Sequence, residues 1–246
     1  MKREYHSVEQ NTESWHKLRC GRFTASVIDE LFTKPRSKKD RESGVLSDTA
    51  KKCVRRVAYE RFSGTPRPNL LQDLRSIQHG HMYEPVAAKW YSDFTGKTLS
   101  NLGFVSVGDY AGVSVDRIIE GGEGILEIKC PISYDIHRDN LEIRSGEDLK
   151  KAHRAYWHQV QMQLWAIEDA EYAHWASFYY KYMNDPENSE RALHVVKVER
   201  DETLDFESLI LSTLDYMHER EVMYASHSLY MNQFWNNDPL DDGFDF

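Results

Sequence analysis

DRIIEGGEGILEIK, residues Asp116–Lys129, reads as two short strands joined by a glycine turn and ending in the triplet Glu127-Ile128-Lys129. Alternate side chains of a strand share a face, so Glu127 and Lys129 point one way while Leu126 and Ile128 point into a core. Asp116 and Glu127 then converge with one ammonium group. Hard cations take oxygen ligands, so the two carboxylates suit a divalent metal, with Lys129 oriented on a water for in-line attack on a phosphodiester. The same residues also suit an exposed hairpin in which Glu127 and Lys129 merely pair across solvent and contribute little.

Outward from this hairpin, the chain has 246 residues and 40% hydrophobic content, enough for one well-buried α/β domain. No run of about 18 apolar residues occurs, and the start, MKREYHSVEQ, lacks the apolar stretch of a signal peptide, so a cytoplasmic protein is expected. Cys20, Cys53 and Cys130 lie far apart without CxxC spacing, which fits reduced thiols rather than a zinc ribbon or an iron–sulfur cluster. The net charge is −9, but residues 1–75 hold 17 Lys and Arg against 10 Asp and Glu, whereas the remainder holds 14 against 30. Any electrostatic footprint for phosphates is therefore expected in the N-terminal third.

The pattern predicts a short helix at Thr24–Phe32 and then a mobile basic loop at Lys34–Arg41. A helix capped by Ser47 follows to about Phe62, broken by the glycine and prolines of Gly64–Pro68. A long helix is expected over Leu71–Phe94, interrupted near Gly80 and carrying Glu84. Strands are predicted at Gly103–Val107, Ala111–Val115 and Gly124–Cys130, a helix from Glu147 to about Ile167, strands at Tyr172–Tyr180 and Ala192–Val198, and a closing helix at Glu202–Met223. This order suggests an α/β fold, a central mixed β-sheet flanked by helices. We read residues 1–235 as one domain and 236–246, with Asp238, Asp241, Asp242 and Asp245, as a flexible acidic tail that solvates the chain or docks a partner.

Phosphodiester hydrolysis needs neutralisation of the attacking and leaving oxygens, commonly by two ions about 4 Å apart. Asp116, Glu127 and the helical Glu84 supply three carboxylates, with the Ile128 backbone carbonyl as a further oxygen. Glu84 alone also fits a surface or capping role. A second cluster surrounds Trp15, Arg19, Thr24 and Ser26, where a guanidinium and hydroxyls near a helix start suit a terminal phosphate; an N-terminal anchor with Arg19 solvated fits as well. His79 with His81, and His153 with His158, lack the spacing of a helical zinc site and read as satisfied or surface histidines. Neither a Walker A sequence nor a GxSxG elbow is present, which gives nucleotide-driven motors and serine hydrolases no support.

Five segments taken in order, SWHKLRCGRFTAS at Ser14–Ser26, HGHMYEP at His79–Pro85, SVD at Ser114–Asp116, LEIKCP at Leu126–Pro131 and AYWHQVQMQLW at Ala155–Trp165, resemble the lambda-type phage exonucleases. These form the viral recombinase branch of the PD-(D/E)XK nuclease superfamily. The usual SPDG around the first aspartate is here Ser114-Val115-Asp116-Arg117, which leaves Arg117 to reach DNA or an acid. The resemblance implies a restriction-endonuclease-like core and a 5′ to 3′ exonuclease that uses Mg²⁺ or Mn²⁺, with two ions per site. Its substrate would be double-stranded DNA ends in a bacterial host, and its product a 3′ overhang for recombination by strand annealing. It further implies Asp116, Glu127 and the Ile128 carbonyl as metal ligands with Glu84 assisting, and Lys129 as the catalytic cation. Arg19, Ser26, Ser114 and Gln159 fall where the family grips the 5′ phosphate. A homotrimer ring and a single-strand annealing protein are the implied partners. A structure-specific or nicking endonuclease, and a non-catalytic DNA-binding subunit, are the alternatives.

Overall fold

The computed structural model describes residues 1–66, 75–121 and 123–236, with backbone alone from 230. The N-terminal part contains β1 (Arg3–His6), α1 (Glu13–Arg19), β2 (Phe23–Thr24), a 3₁₀ segment (Ala25–Phe32), α2 (Lys38–Glu42) and α3 (Asp48–Ser63). After it come α4 (Arg75–Thr95), β3 (Leu99–Ser100), β4 (Phe104–Val107), β5 (Ala111–Val113), β6 (Arg117–Ile119) and β7 (Gly124–Lys129). The chain then forms α5 (Tyr134–Asn140), α6 (Gly146–Ala152), α7 (Arg154–Ala166), β8 (Tyr172–Phe178), β9 (Leu193–Glu199), α8 (Phe206–Leu211) and α9 (Leu214–Asn236).

The expected α/β class holds, with the strands divided between two mixed sheets: β1-β4-β5-β2 and β3-β6-β7-β8-β9. In the larger sheet β7 runs parallel to β8 and antiparallel to β6, so it is an interior strand. Both of its faces are covered: Ile125 joins the core beneath α7, while Leu126 and Ile128 pack with Ala87 and Tyr91 of α4. Glu127 is consequently only 3% exposed, which removes the reading of a solvent-facing hairpin pair.

Local signals explain the helix boundaries. The Ser47 hydroxyl accepts from the Ala50 N–H to start α3, and Gly64 at φ 63° ends it in the left-handed conformation that glycine tolerates. Four expectations are corrected. Helix α4 runs unbroken through Gly80 and also contains Pro85, because its buried Ala87, Ala88 and Tyr91 stripe is held on the sheet; residues 71–74 lie outside the described residues. The helix predicted from Glu147 breaks at His153, whose extended φ of −139° separates α6 from α7. The closing helix is two pieces, split after Ser212, and the basic loop folds in part into α2, where Arg41 ties back to the carbonyls of Pro35 and Arg36. Strand β1 was not anticipated. The proposed tail beyond Asn236 lies outside the described residues. Among the described residues no helix is long and apolar enough to cross a membrane.

Candidate active site

The hairpin β6–β7 sets the geometry. Arg117 pairs with Leu126 in its ladder, and one step beyond that register Asp116 falls opposite Glu127 on the same face. Directly opposed residues of an antiparallel pair have Cβ atoms about 5 Å apart, so the two carboxylates are neighbours by construction. Gly121, at φ 107°, lets the connecting turn close. Asp116 Oδ2 accepts the Ile128 backbone N–H at 2.6 Å, and its other oxygen makes no hydrogen bond among the described residues.

Glu127 is held on every side. Lys129 Nζ and Gln159 Nε2 each donate to its Oε1 at 2.6 Å, and Gln163 Nε2 donates to its Oε2 at 2.6 Å. The two glutamines are four residues apart, one turn of α7, so they present their amides from one face. Tyr156, a further turn back, places its ring 4.7 Å below Lys129 Nζ. Glu84 comes from α4 and is engaged at 2.8 Å by Arg117, which also bonds the Asp116 carbonyl. Arg117 thus reaches an acid, the second of the two options its position left open.

The charges are unbalanced. Burial, then the carboxylates of Glu127 and Glu84, push the Asp116 carboxyl well above the usual range, against the opposing pull of Lys129 and the Ile128 N–H. Burial of Lys129 disfavours its charge, but Glu127 and Asp116 outweigh it, and the group is held protonated. Cys130 is a free thiol whose burial, beside Glu84 and Asp116, pushes it up to about 12. The cleft over these groups measures about 760 Å³ and is walled by Gly80, His81, Pro131, Asn140 and His153, with Asp116, Glu127 and Lys129 on its floor.

A crowded, over-negative acid pair is an environment that a divalent cation relieves, so the residues present fit one. Among the described residues no three His, Cys, Asp or Glu side chains gather closely enough to encage an ion, in keeping with the diversion of Glu84 to Arg117.

The second cluster also assembles. Ser114 Oγ receives Trp15 Nε1 at 2.9 Å and Arg19 at 3.5 Å, and itself donates to the Gly103 carbonyl. Arg19 lies over the Trp15 ring at 4.2 Å, has no ion pair with a described carboxylate within 4 Å, and burial pushes its pKa down to about 10 against the pull of Glu60. Ser26 is exposed and among the described residues hydrogen-bonds Thr24 Oγ1, at 3.2 Å, while Gln159 sits with Glu127 and Lys129 instead of with Arg19. Gln163 was not singled out. Its signal was a run of glutamines at 159, 161 and 163 on a core-facing helix, since buried amides need partners. The histidines mostly find theirs: His153 on Asn140 and His158 on Asp29, whereas His79 packs its ring at a tilt against Tyr83 and leaves its Nε2 unpartnered among the described residues.

Three solved structures share this fold. The alkaline exonuclease LHK-Exo from Laribacter hongkongensis superposes with a TM-score of 0.69 at 22% identity, covering 89% of this chain and 100% of its own. The same protein in complex with dAMP gives 0.68 at 22% identity, covering 89% and 100%. A phage-related exonuclease from Haemophilus somnus 129PT gives 0.65 at 21%, covering 87% and 99%. Such identities establish the fold, a restriction-endonuclease-like one, as the resemblance implied. Curated protein sequences give no match. The family model of the YqaJ-like viral recombinase domain matches residues 14–171, well over half of the chain, and the protein belongs to that family.

Proposed function

We propose that the protein is a metal-dependent exonuclease that digests one strand of linear double-stranded DNA from its 5′ end and leaves a 3′ overhang for strand annealing. The carrying observation is the placement of Asp116 opposite Glu127, with Lys129 2.6 Å from that glutamate, on the floor of a cleft. Asp116, Glu127 and the Ile128 carbonyl would hold Mg²⁺, with Mn²⁺ as substitute, and Glu84 would assist on release from Arg117. Two ions are proposed. Bound there, the metal supplies Lewis-acid polarisation of the phosphoryl group and neutralises the leaving oxygen. Lys129 orients the attacking water as a fixed cation, and Gln159 and Gln163 hold Glu127 in the rotamer that faces Asp116. Arg19 and Ser114, with Ser26 at the rim, grip the 5′ phosphate, and Gln159 reaches the strand from the catalytic side.

The assembly proposed is a homotrimer ring around DNA, with a single-strand annealing protein receiving the product. Lys34, Arg36, Lys38, Lys39, Lys52 and Arg55 are exposed, and the basic balance of the N-terminal third suits DNA in an otherwise acidic chain. Incubation of 5′-phosphorylated linear duplex with Mg²⁺ tests the reading, with covalently closed circular duplex and excess chelator as controls. Release of 5′ mononucleotides from the linear form alone is expected. Cleavage of the closed circle would make it an endonuclease, and no metal-dependent hydrolysis of either would make it a binding subunit.

A further inference from the structure

The two clusters are joined by one side chain. Gln163 is fully buried, and its Nε2 donates both to the Ser114 carbonyl at 2.9 Å and to Glu127 Oε2 at 2.6 Å. Its Oε1 is buried without a partner among the described residues. Rotating the amide by 180° would satisfy nothing: it would aim Oε1 at two oxygens that can only accept. The orientation is therefore fixed by the two acceptors, and the stranded oxygen is its consequence.

Ser114 is the shared node. Its hydroxyl takes the Trp15 indole and Arg19, its carbonyl takes Gln163, and two residues along the chain stands Asp116. A shift of Ser114 on engaging a terminal phosphate therefore moves Asp116 through the backbone and Glu127 through the Gln163 amide. Packed, hydrogen-bonded contacts with no slack transmit such shifts.

We infer that Gln163 is a positioning residue that couples occupancy of the Arg19–Ser114 phosphate seat to cation binding at Asp116 and Glu127. This rests on the proposed function and adds to it a linkage between the two ligands. Coupling is reciprocal: a 5′ phosphate tightens the ion, and the ion tightens the phosphorylated end by the same factor. An unphosphorylated end gains no such tightening. Gln163 never touches the reacting atoms in this scheme and acts through Glu127 and Ser114.

The test is calorimetric titration of Mn²⁺ into the full chain, alone and with duplexes that carry a 5′ phosphate or a 5′ hydroxyl, their terminal linkages phosphorothioate to resist hydrolysis. In the wild type, the 5′ phosphate is expected to tighten Mn²⁺ by at least about fivefold over the 5′ hydroxyl. Gln163→Met fills nearly the same volume without donors, so that ratio should fall to within about twofold of unity, with the melting temperature lowered as well because two buried acceptors lose their donor. A residue with a merely structural role would lower the melting temperature and leave the ratio intact, and that outcome overturns the inference. Equal Mn²⁺ affinity at both ends in the wild type overturns it as well. Should Gln163→Met fail to fold, Gln163→Asn, which withdraws the amide by one methylene, is measured in its place with the same expectation. Failure of the wild type to bind Mn²⁺ at all would refute the proposed function itself, which separates the two claims.

Discussion

Lys129 Nζ lies 2.6 Å from Oε1 of Glu127, and the glutamate is almost wholly buried while the lysine reaches the cleft. This is a pair that the fold has partly withdrawn from water, and its partners decide whether the withdrawal is tolerable. Glu127 accepts from two glutamines besides the lysine, so loss of any one donor leaves it two hydrogen-bond partners. Lys129→Ala is therefore expected to fold, destabilised by about 2–3 kcal/mol, below the cost of an unsupported buried pair because the lysine is partly exposed. Activity should drop by about 10²–10⁴-fold. Chemical denaturation beside a duplex digestion assay reads both; near-wild-type activity would exclude Lys129 from the chemistry.

Asp116 predicts a pH signature. Its carboxyl is raised in the folded state by burial and by Glu127 and Glu84, relative to an unfolded value of about 3.9. Over the interval between the two values the folded protein holds a proton that the unfolded chain releases, so stability is full below the unfolded value and declines as pH rises through the folded one. Asp116→Asn cannot ionise and can still accept the Ile128 N–H. In chelator, its melting temperature should exceed the wild type's at pH 8 and converge with it near pH 4. Added Mg²⁺ should stabilise the wild type alone, and the variant should be inactive. A wild type that melts higher at pH 8 would show that Asp116 is not strained by its neighbours.

The hairpin was legible because strand alternation and a glycine turn are short-range facts: they put Asp116 and Glu127 together whatever surrounds them. The interior position of β7 was not legible, since a near-continuous apolar run beside two charges does not say whether another strand pairs on its far side. The roles of Gln159 and Gln163 depend on α7 crossing the end of β7, a contact distant in sequence that no local pattern encodes. Strand β1 escaped for a related reason. REYH has no apolar alternation and is held instead by pairing with β4 and by Arg3, which bonds the Trp165 carbonyl and Glu168. Gly80 read as a break because glycine disfavours helix interiors, yet the packing of Ala87 and Tyr91 overrides that preference.

Arg19 carries a prediction of its own. A guanidinium stacked on Trp15, half-buried and with no ion pair within 4 Å among the described residues, suits an anion. Arg19→Ala should abolish the preference for 5′-phosphorylated over 5′-hydroxyl ends, while hydrolysis of the hydroxyl end changes by less than about threefold. Arg19→Lys should recover only part of the preference, because the ammonium lacks the planar fork. Competition between the two substrates measures it directly. An unaltered preference in Arg19→Ala would remove the phosphate from this pocket.

The wall of the cleft beyond Lys129 is held by a buried polar chain whose direction can be assigned from one end. The Arg191 carbonyl can only accept, so His137 Nε2, 2.8 Å away, carries a proton. Burial lowers the pKa of His137, leaving Nδ1 as an acceptor for the Ser177 hydroxyl at 2.9 Å. The Ser177 oxygen then accepts from Asn140 Nδ2, and Asn140 Oδ1 accepts from His153 Nε2, each at 2.9 Å. Ser177 pairs with Lys129 in the parallel register of β7 and β8, which sets this chain directly beside Lys129. Ser177→Ala removes the one oxygen that satisfies both His137 and Asn140 and leaves two buried groups without partners. A loss of about 2–3 kcal/mol is expected, read as a fall of about 5–10 °C in melting temperature. Asn140→Ala should cost a similar amount, and the double variant less than the sum, since each change breaks the same link. Strict additivity in that cycle would show that the chain does not act as a unit.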